Sequence, residues 1–178
     1  VSVDITRNYF LSTLDVSNLP NLQILKCDKN YLDTLIFNNT PSLTKLNCKE
    51  NRLATLDFSN PTNLTDIDCS VNPLTSILLT GLGQLQKLTC KNNLLTSLNA
   101  SPLTNLITLD CSYNDLTTIN VAGLTNLTDL NCSENNITAI DLTGMSGLLK
   151  LECFNNQLTT IDLSQVTQLT SLYCSGNQ

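Results

Sequence analysis

Apolar residues recur along the chain in fixed columns, with one member in every repeat, as at Leu22, Leu43 and Leu64. From Leu22 onward each repeat reads Leu-x-x-Leu-x-Cys-x-x-Asn-x-Leu-x-x-Leu-x-apolar, with few exchanges of Leu for Ile. The first part alternates apolar and polar positions, which is typical of a short, half-buried β-strand. The second part also alternates and is rich in threonine, which favours another short extended segment over a helix. A constant period of roughly 20 residues predicts stacked coils that bury their apolar faces against one another.

Two columns are invariant, and they define the stacking. Every cysteine of the chain belongs to the first column, which contains Cys27, Cys48, Cys69, Cys90, Cys111, Cys132, Cys153 and Cys174. The second column contains Asn30, Asn51, Asn72, Asn93, Asn114, Asn135, Asn156 and Asn177. Because consecutive coils place their strands side by side, we expect a parallel sheet that advances by about 4.8 Å per coil.

Three interpretations of the cysteine column are open: disulfides, metal ligands, or small apolar core residues. Cβ atoms on adjacent in-register strands lie about 4.8 Å apart, which is longer than the roughly 3.8 Å of a disulfide. A metal site needs ligands that converge on one point, and a straight column does not converge. We therefore expect free, buried thiols that pack like small hydrophobic side chains.

The asparagine column also has more than one interpretation. Asn131-Cys-Ser and Asn136-Ile-Thr fit the glycosylation acceptor motif, but this short motif arises by chance in a chain rich in Asn and Thr. An amide side chain has both donors and acceptors, and buried polar groups need partners. We expect the column asparagines to turn inward and bind backbone groups left open where each strand ends.

The two ends of the repeat array are irregular. Residues 1–20 align poorly, with Asp4 on the second leucine column, Thr6 on the cysteine column and Tyr9 on the asparagine column. We interpret this segment as a degenerate first coil or a weak N-terminal cap. Residues 21–178 then form tandem repeats whose last coil is incomplete. Because solenoids normally need terminal caps, we expect the chain to be a piece of a longer protein.

The pattern resembles the leucine-rich repeat, L-x-x-L-x-L-x-x-N/C-x-L, with cysteine replacing the third leucine. It is most similar to the bacterial cysteine-ladder repeats of the internalin J type, and the resemblance covers Leu22 to Gln178. That subfamily's Asp-x-Ser/Thr triplets are also matched, by Asp15-Val-Ser, Asp57-Phe-Ser, Asp141-Leu-Thr and Asp162-Leu-Ser. The resemblance implies a mainly β leucine-rich-repeat solenoid of about eight coils. It would have a parallel concave sheet, short extended segments on the convex side, and few or no helices.

Charge divides the chain into two different halves. Residues 1–91 hold eight basic and eight acidic residues, whereas residues 92–178 hold Lys150 against seven acids. The net charge of −6 therefore belongs to the second half. Phosphates would be repelled there, so we do not expect nucleic acid as a partner. The sequence also lacks an apolar stretch of about 18 residues, so we expect no membrane-spanning segment.

By resemblance, the outward positions of the concave sheet are where a partner would bind. We expect the candidate residues of the late coils to be Asp110, Tyr113, Asp129, Asn131, Glu152, Phe154 and Tyr173. The early coils present lysines there instead, at Lys26, Lys29, Lys45, Lys49, Lys87 and Lys91. Exposed aromatic side chains are informative because they enrich binding surfaces, although strand faces also favour them intrinsically.

Catalysis and metal binding have little support in the sequence. The chain contains no histidine to act as a base and no glycine-rich phosphate loop. Asp110 and Glu152 are two coils apart, about 9.6 Å by strand spacing, and calcium needs about six to eight oxygen ligands, so Asp129 and Asn131 would have to contribute to such a site. We therefore expect no cofactor, no metal and no enzymatic activity.

The expected function is an extracellular or bacterial cell-surface binding module that recognises a protein or glycan through its concave face, as in adhesion. One alternative is a rigid spacer or an accessory subunit of a larger surface assembly. A third is a domain of a carbohydrate-active enzyme, for which a pair of carboxylates would have to converge in a cleft.

Overall fold

The structure is a computed structural model that describes residues 1–58 and 63–178. These two ranges contain thirteen strands of three residues each and no helix. In chain order, β1 to β13 are Ser2–Asp4, Thr13–Asp15, Ile24–Lys26, Thr34–Ile36, Lys45–Asn47, Asp66–Asp68, Lys87–Thr89, Ser97–Asn99, Thr108–Asp110, Thr118–Asn120, Asp129–Asn131, Lys150–Glu152 and Ser171–Tyr173.

Nine strands form one parallel sheet in the order β1-β3-β5-β6-β7-β9-β11-β12-β13. From β3 onward, paired residues are one full period apart, so that Leu109 lies beside Leu130 and Leu130 beside Leu151. The second half of the coil is extended as well, and β2 pairs with β4 and β8 with β10, both parallel. The predicted fold, a parallel β-solenoid of about eight coils, is confirmed.

The first coil follows the repeat pattern more closely than the regular period predicts, once its residues are shifted by one position. β1 pairs with β3 so that Val3 lies beside Leu25 and Asp4 beside Lys26, one position out of step with the later coils. Asp4 therefore faces solvent, and the second leucine column is occupied by Val3. The placement of Asp4 on that column was wrong.

The cysteine and asparagine columns shift in the same way. Ile5 takes the cysteine position, because its carbonyl accepts from the Asn30 amide at 3.0 Å as the Cys27 carbonyl does from the next asparagine. Asn8 takes the asparagine position, and its amide donates to the carbonyl three residues before it. The placements of Thr6 and Tyr9 were therefore also wrong.

The original spacing returns before the end of the first coil. Leu14 lies beside Leu35, which is the same full period that separates paired residues in the later coils. One extra residue must therefore lie between Asn8 and Leu11, and the pair Tyr9-Phe10 occupies the place that Tyr31 fills alone in the next coil. Residues 1–20 thus carry the apolar pattern of a coil with one inserted residue.

The column cysteines lie in one continuous core together with the leucine columns. Seven of them are fully buried, and all eight are free thiols. The thiols of Cys27, Cys111 and Cys132 each lie 3.5 Å from a backbone carbonyl of the following coil. Cys174, which lies beyond β13, is exposed.

This difference in burial predicts how the thiols react. With a thiol-reactive reagent and no reductant, the native protein should show one fast thiol, Cys174, and the other seven only after unfolding. Cys174→Ser should remove the fast phase and leave the slow one. A total below eight in the unfolded, unreduced protein would mean that some of the cysteines are bridged.

Each interior asparagine of the column joins two coils through four hydrogen bonds. The Asn114 oxygen accepts from the Leu95 N–H at 3.0 Å, and its amide donates to the carbonyls of Cys90, Cys111 and Ser112. The same four bonds recur for Asn51, Asn72, Asn93, Asn135 and Asn156. The chain thereby satisfies buried backbone groups that the strand ladder leaves unpaired.

The Asp-x-Ser/Thr triplets close turns at the end of the second extended segment. Asp15, Asp141 and Asp162 each accept the N–H two residues further on, at 2.8 to 2.9 Å. Hydrogen bonds from the hydroxyl and then the backbone of that residue lower the pKa of these three carboxyls. In the triplet that begins at Asp57, Ser59 lies outside the described residues.

Candidate binding surface

The solvent-facing first and last residues of the nine main strands form a surface that we call the strand face. Asp110, Asn131, Glu152 and Tyr173 are the last residues of β9, β11, β12 and β13. The register places them directly beside one another, as a row across four neighbouring strands. Asp129 begins β11 and lies in the parallel row between Thr108 and Lys150.

Lys150 is the basic residue that lies among these acidic side chains of the strand face. Its ammonium group is ion-paired with Glu152 and lies 5.8 Å from the centre of the Tyr173 ring. Mainly through the hydrogen bond to Glu152, the pKa of Lys150 is raised. A shallow groove of about 190 Å³ lies between these residues and Asp110, Asp129 and Asn131. Since Lys150 is the one basic residue of the second half, the groove keeps an excess of negative charge.

Two members of the row also stabilise the turn that follows their strand. Asp110 Oδ1 accepts from both the N–H and the hydroxyl of Ser112, at 3.1 and 2.6 Å. Asn131 Oδ1 accepts from the Ser133 N–H at 3.1 Å. Both side chains, predicted from the sequence to bind a partner, therefore also have a local structural role. The signal was present as an Asp or Asn two residues before a serine.

The three predicted aromatic residues do not share one environment. Tyr173 is on a strand and its ring is well exposed (55%). Tyr113 lies three residues beyond the end of β9, at a positive φ of 55°, and is half exposed. Phe154 lies two residues beyond β12 and is partly buried. Of these three, Tyr173 is therefore the one that lies in the row with Asp110, Asn131 and Glu152.

The early half of the strand face is internally compensated. Lys26 pairs with Asp4 and Lys45 with Asp66, both at 3.7 Å. The remaining early lysines divide between strand and turn: Lys87 begins β7, whereas Lys29, Lys49 and Lys91 lie beyond the strands. Such exposed pairs contribute about 0–1 kcal/mol each, so they shape the surface potential more than they stabilise the fold.

A second cluster of exposed side chains was not predicted from the sequence. Tyr9, Phe10, Tyr31 and Arg52 lie together in the turns that follow the first main strands. The signal was the period itself: Tyr31 and Arg52 occupy the same position in consecutive repeats, and stacked coils place such residues side by side.

Neither a metal centre nor a membrane span is found in the described part of the chain. In residues 1–58 and 63–178, no three Cys, Asp or Glu side chains come together as potential ligands. The same residues contain no helix that is long and apolar enough to cross a bilayer.

Comparison with known proteins identifies the repeat. A family model described as leucine-rich repeats (2 copies) matches residues 104–144. A search among curated proteins found no significant match.

Among solved structures, the functional domain of InlJ from Listeria monocytogenes, which includes a cysteine ladder, is 36% identical with a TM-score of 0.92. The match covers 98% of this chain and 39% of that chain. The internalin InlF from Listeria monocytogenes is 28% identical with a TM-score of 0.83, and the match covers 99% of this chain and 55% of that one.

A chain in the Toll–Spatzle complex from Drosophila is 28% identical, with a TM-score of 0.84 over 96% of this chain and 27% of that one. This chain therefore spans less than two thirds of each of the three matched structures. None of the three is described as an enzyme.

Proposed function

Because the chain belongs to the leucine-rich repeat proteins and has their cysteine-ladder form, we propose that it is an extracellular binding module of a bacterial surface or secreted protein. It recognises another protein through the strand face of its last four main strands, as in adhesion. The observation that carries this proposal is the row of Asp110, Asn131, Glu152 and Tyr173 on adjacent strands.

The chemistry of the row supports a protein partner. Rigid strands hold an exposed aromatic ring next to carboxylates, and aromatic anchors surrounded by polar groups are typical of protein interfaces. The excess negative charge favours a partner surface with lysine or arginine. A matched structure is itself a protein–protein complex, that of Toll with Spatzle.

The proposal is tested by probing an array of purified extracellular protein domains and glycans with the fluorescently labelled chain. For the domain that binds best, Tyr173→Ala and Glu152→Gln are each expected to weaken binding about tenfold, because they remove the aromatic anchor and the charge beside it. Both side chains are exposed or partly exposed, so the urea unfolding midpoint should stay within error of the wild type.

Matched controls separate recognition from general surface change. Leu78→Ala removes an exposed apolar side chain, and Asp33→Asn removes an exposed charge, both away from the strand face. Neither should alter binding. Binding to glycans alone would overturn a protein partner, and the absence of any binding by the folded chain would favour a rigid spacer.

A further inference from the structure

A cavity separate from the strand face lies in the turns that follow the first four main strands. This pocket, about 550 Å³ in volume, is lined principally by Arg7, Tyr9, Lys29, Tyr31, Arg52 and Val71. We call it the edge pocket. None of these residues belongs to a strand of the main sheet, so the edge pocket is a surface distinct from the strand face.

Aromatic side chains are concentrated at the edge pocket. The chain has four tyrosines and four phenylalanines, and two of these eight residues, Tyr9 and Tyr31, line the edge pocket. The rings of Tyr9 and Tyr31 are 6.4 Å apart and inclined at 55°, and Phe10 beside them is fully exposed (100%). The inserted residue of the first coil creates this arrangement, since it leaves both Tyr9 and Phe10 where other coils have one side chain.

Positive charge is concentrated there as well. The Arg52 guanidinium lies 4.3 Å from the centre of the Tyr31 ring. Stacking uses the flat face of a guanidinium and leaves its in-plane N–H groups available to carboxylates. Arg7 and Lys29 add two further cations, and Glu50, 3.8 Å from Lys29, compensates one of the three. The edge pocket is therefore positive in a chain whose net charge is −6.

Val71 adds apolar surface to the edge pocket from a left-handed turn. It has a φ of 56°, which is a genuine outlier for a β-branched residue. The conformation belongs to the repeat, because the same turn position is also left-handed at Lys29, Glu50, Asn92, Tyr113, Glu134, Asn155 and Gly176. The Val71 side chain is exposed (42%) at the rim of the edge pocket.

We propose that the edge pocket binds an acidic segment of a partner protein in an extended conformation. Carboxylates of the segment pair with Arg7 and Arg52, and an apolar or aromatic side chain lies against Tyr9, Tyr31 and Val71. A peptide fits these features better than a sugar chain, because the exposed Val71 side chain of the pocket matches an apolar side chain and not hydroxyl groups.

The test uses a fluorescein-labelled peptide of alternating glutamate and tyrosine, and its counterpart with glutamine in place of glutamate. Fluorescence anisotropy at low salt should show that the glutamate peptide binds at least about tenfold more tightly, and that added salt weakens it. Tyr31→Ala and Arg52→Gln should each reduce that binding about tenfold.

Two control variants match these changes in chemistry but not in place. Lys87→Gln removes a positive charge from β7, and Leu94→Ala removes an exposed apolar side chain three coils after Tyr31 in the same column. Both should bind the peptide within about twofold of the wild type. If the control variants lose as much peptide affinity as Tyr31→Ala and Arg52→Gln, the binding does not depend on the edge pocket and the proposal is overturned.

Val71→Gly provides a readout that a merely structural role would not give. Relief of the strained backbone should raise the melting temperature by about 3 °C, while loss of the side chain weakens peptide binding severalfold.

The proposal is overturned if the glutamate and glutamine peptides bind equally or not at all. It is also overturned if polygalacturonate binds in a Tyr31- and Arg52-dependent way and the peptide does not, since the site would then take an anionic glycan.

Discussion

Raising the pH above about 9 is expected to destabilise the fold steeply, well before the backbone itself is affected. Burial raises the pKa of Cys27 and Cys69 to about 12 and that of Cys153 to about 11, from an ordinary value of 9.0. Burial also raises the pKa of Cys48, Cys90, Cys111 and Cys132. The folded state therefore keeps thiol protons that the unfolded state releases.

The sign follows from proton linkage. Below pH 9 both states hold the thiol protons, and the contribution of the buried thiols to stability is complete. Between about 9 and 12 the unfolded chain is deprotonated first, so the free energy of unfolding falls as the pH rises. Each thiol contributes about 1.4 kcal/mol per pH unit, so Cys27 and Cys69 alone contribute about 3 kcal/mol per unit. A typical total stability is about 5–15 kcal/mol, so unfolding should occur within this window.

The measurement is urea unfolding at a series of pH values, with a phosphine reductant present throughout. Cys111→Ala removes one buried thiol and should make the slope of stability against pH less steep by about 1.4 kcal/mol per unit, whatever it does to stability at neutral pH. A free energy of unfolding that stays constant from about pH 8 to 10.5 would mean that the thiols are not buried in solution.

Replacing an interior asparagine of the column should be the most damaging single polar substitution in the described structure. Asn114→Ala is expected to cost about 3 kcal/mol, because the buried Leu95 N–H loses its acceptor and the two N–H groups of the amide are removed from between the coils. The carbonyls of Cys90 and Cys111 each keep a donor from a neighbouring asparagine of the column. Asn114→Asp should cost more, since it sets a carboxylate against those carbonyls in a buried position (Asn114 is 8% exposed). Denaturant unfolding monitored by circular dichroism measures both.

Position within the array supplies the controls. Asn136→Ala alters an exposed asparagine one residue after the column and should change stability by less than about 0.5 kcal/mol. Asn177→Ala removes the same kind of bonds in the partly exposed last coil and should cost clearly less than Asn114→Ala. If all three alanine variants are equally stable, the hydrogen bonds between coils contribute nothing.

The sequence alone predicted the solenoid because each coil repeats one pattern without insertions from Leu22 onward. It failed in the first coil because the constant spacing was continued unchanged into residues 1–8, where it puts the polar residues Asp4 and Thr6 on apolar columns. A shift of one position brings Val3 and Ile5 onto these columns instead. Backbone pairing in the structure has this shift, with Val3 beside Leu25, and it returns to the regular period by Leu14, which lies beside Leu35.

The candidate surfaces were predicted less completely, for a different reason. Outward strand positions follow from the alternation of apolar and polar residues. The solvent-facing positions of Asp110, Asn131, Glu152 and Tyr173 could therefore be predicted from the sequence. Residues beyond the strands, such as Tyr113 and Phe154, depend on turn geometry that alternation does not describe. The edge pocket depends on contacts between coils, such as Arg52 with Tyr31, and these emerge only when positions one period apart are compared.

The asparagine bonds also bear on how such arrays change length. Asn114 bonds only to its own coil and the coil immediately before it. Duplication or deletion of one whole repeat would therefore recreate every bond of this kind at the new junction. A single-residue insertion in the interior would instead shift the columns of one coil against the coils on both sides of it. Tandem duplication of complete units is thus the mutational route to longer or shorter arrays that disturbs the fold least.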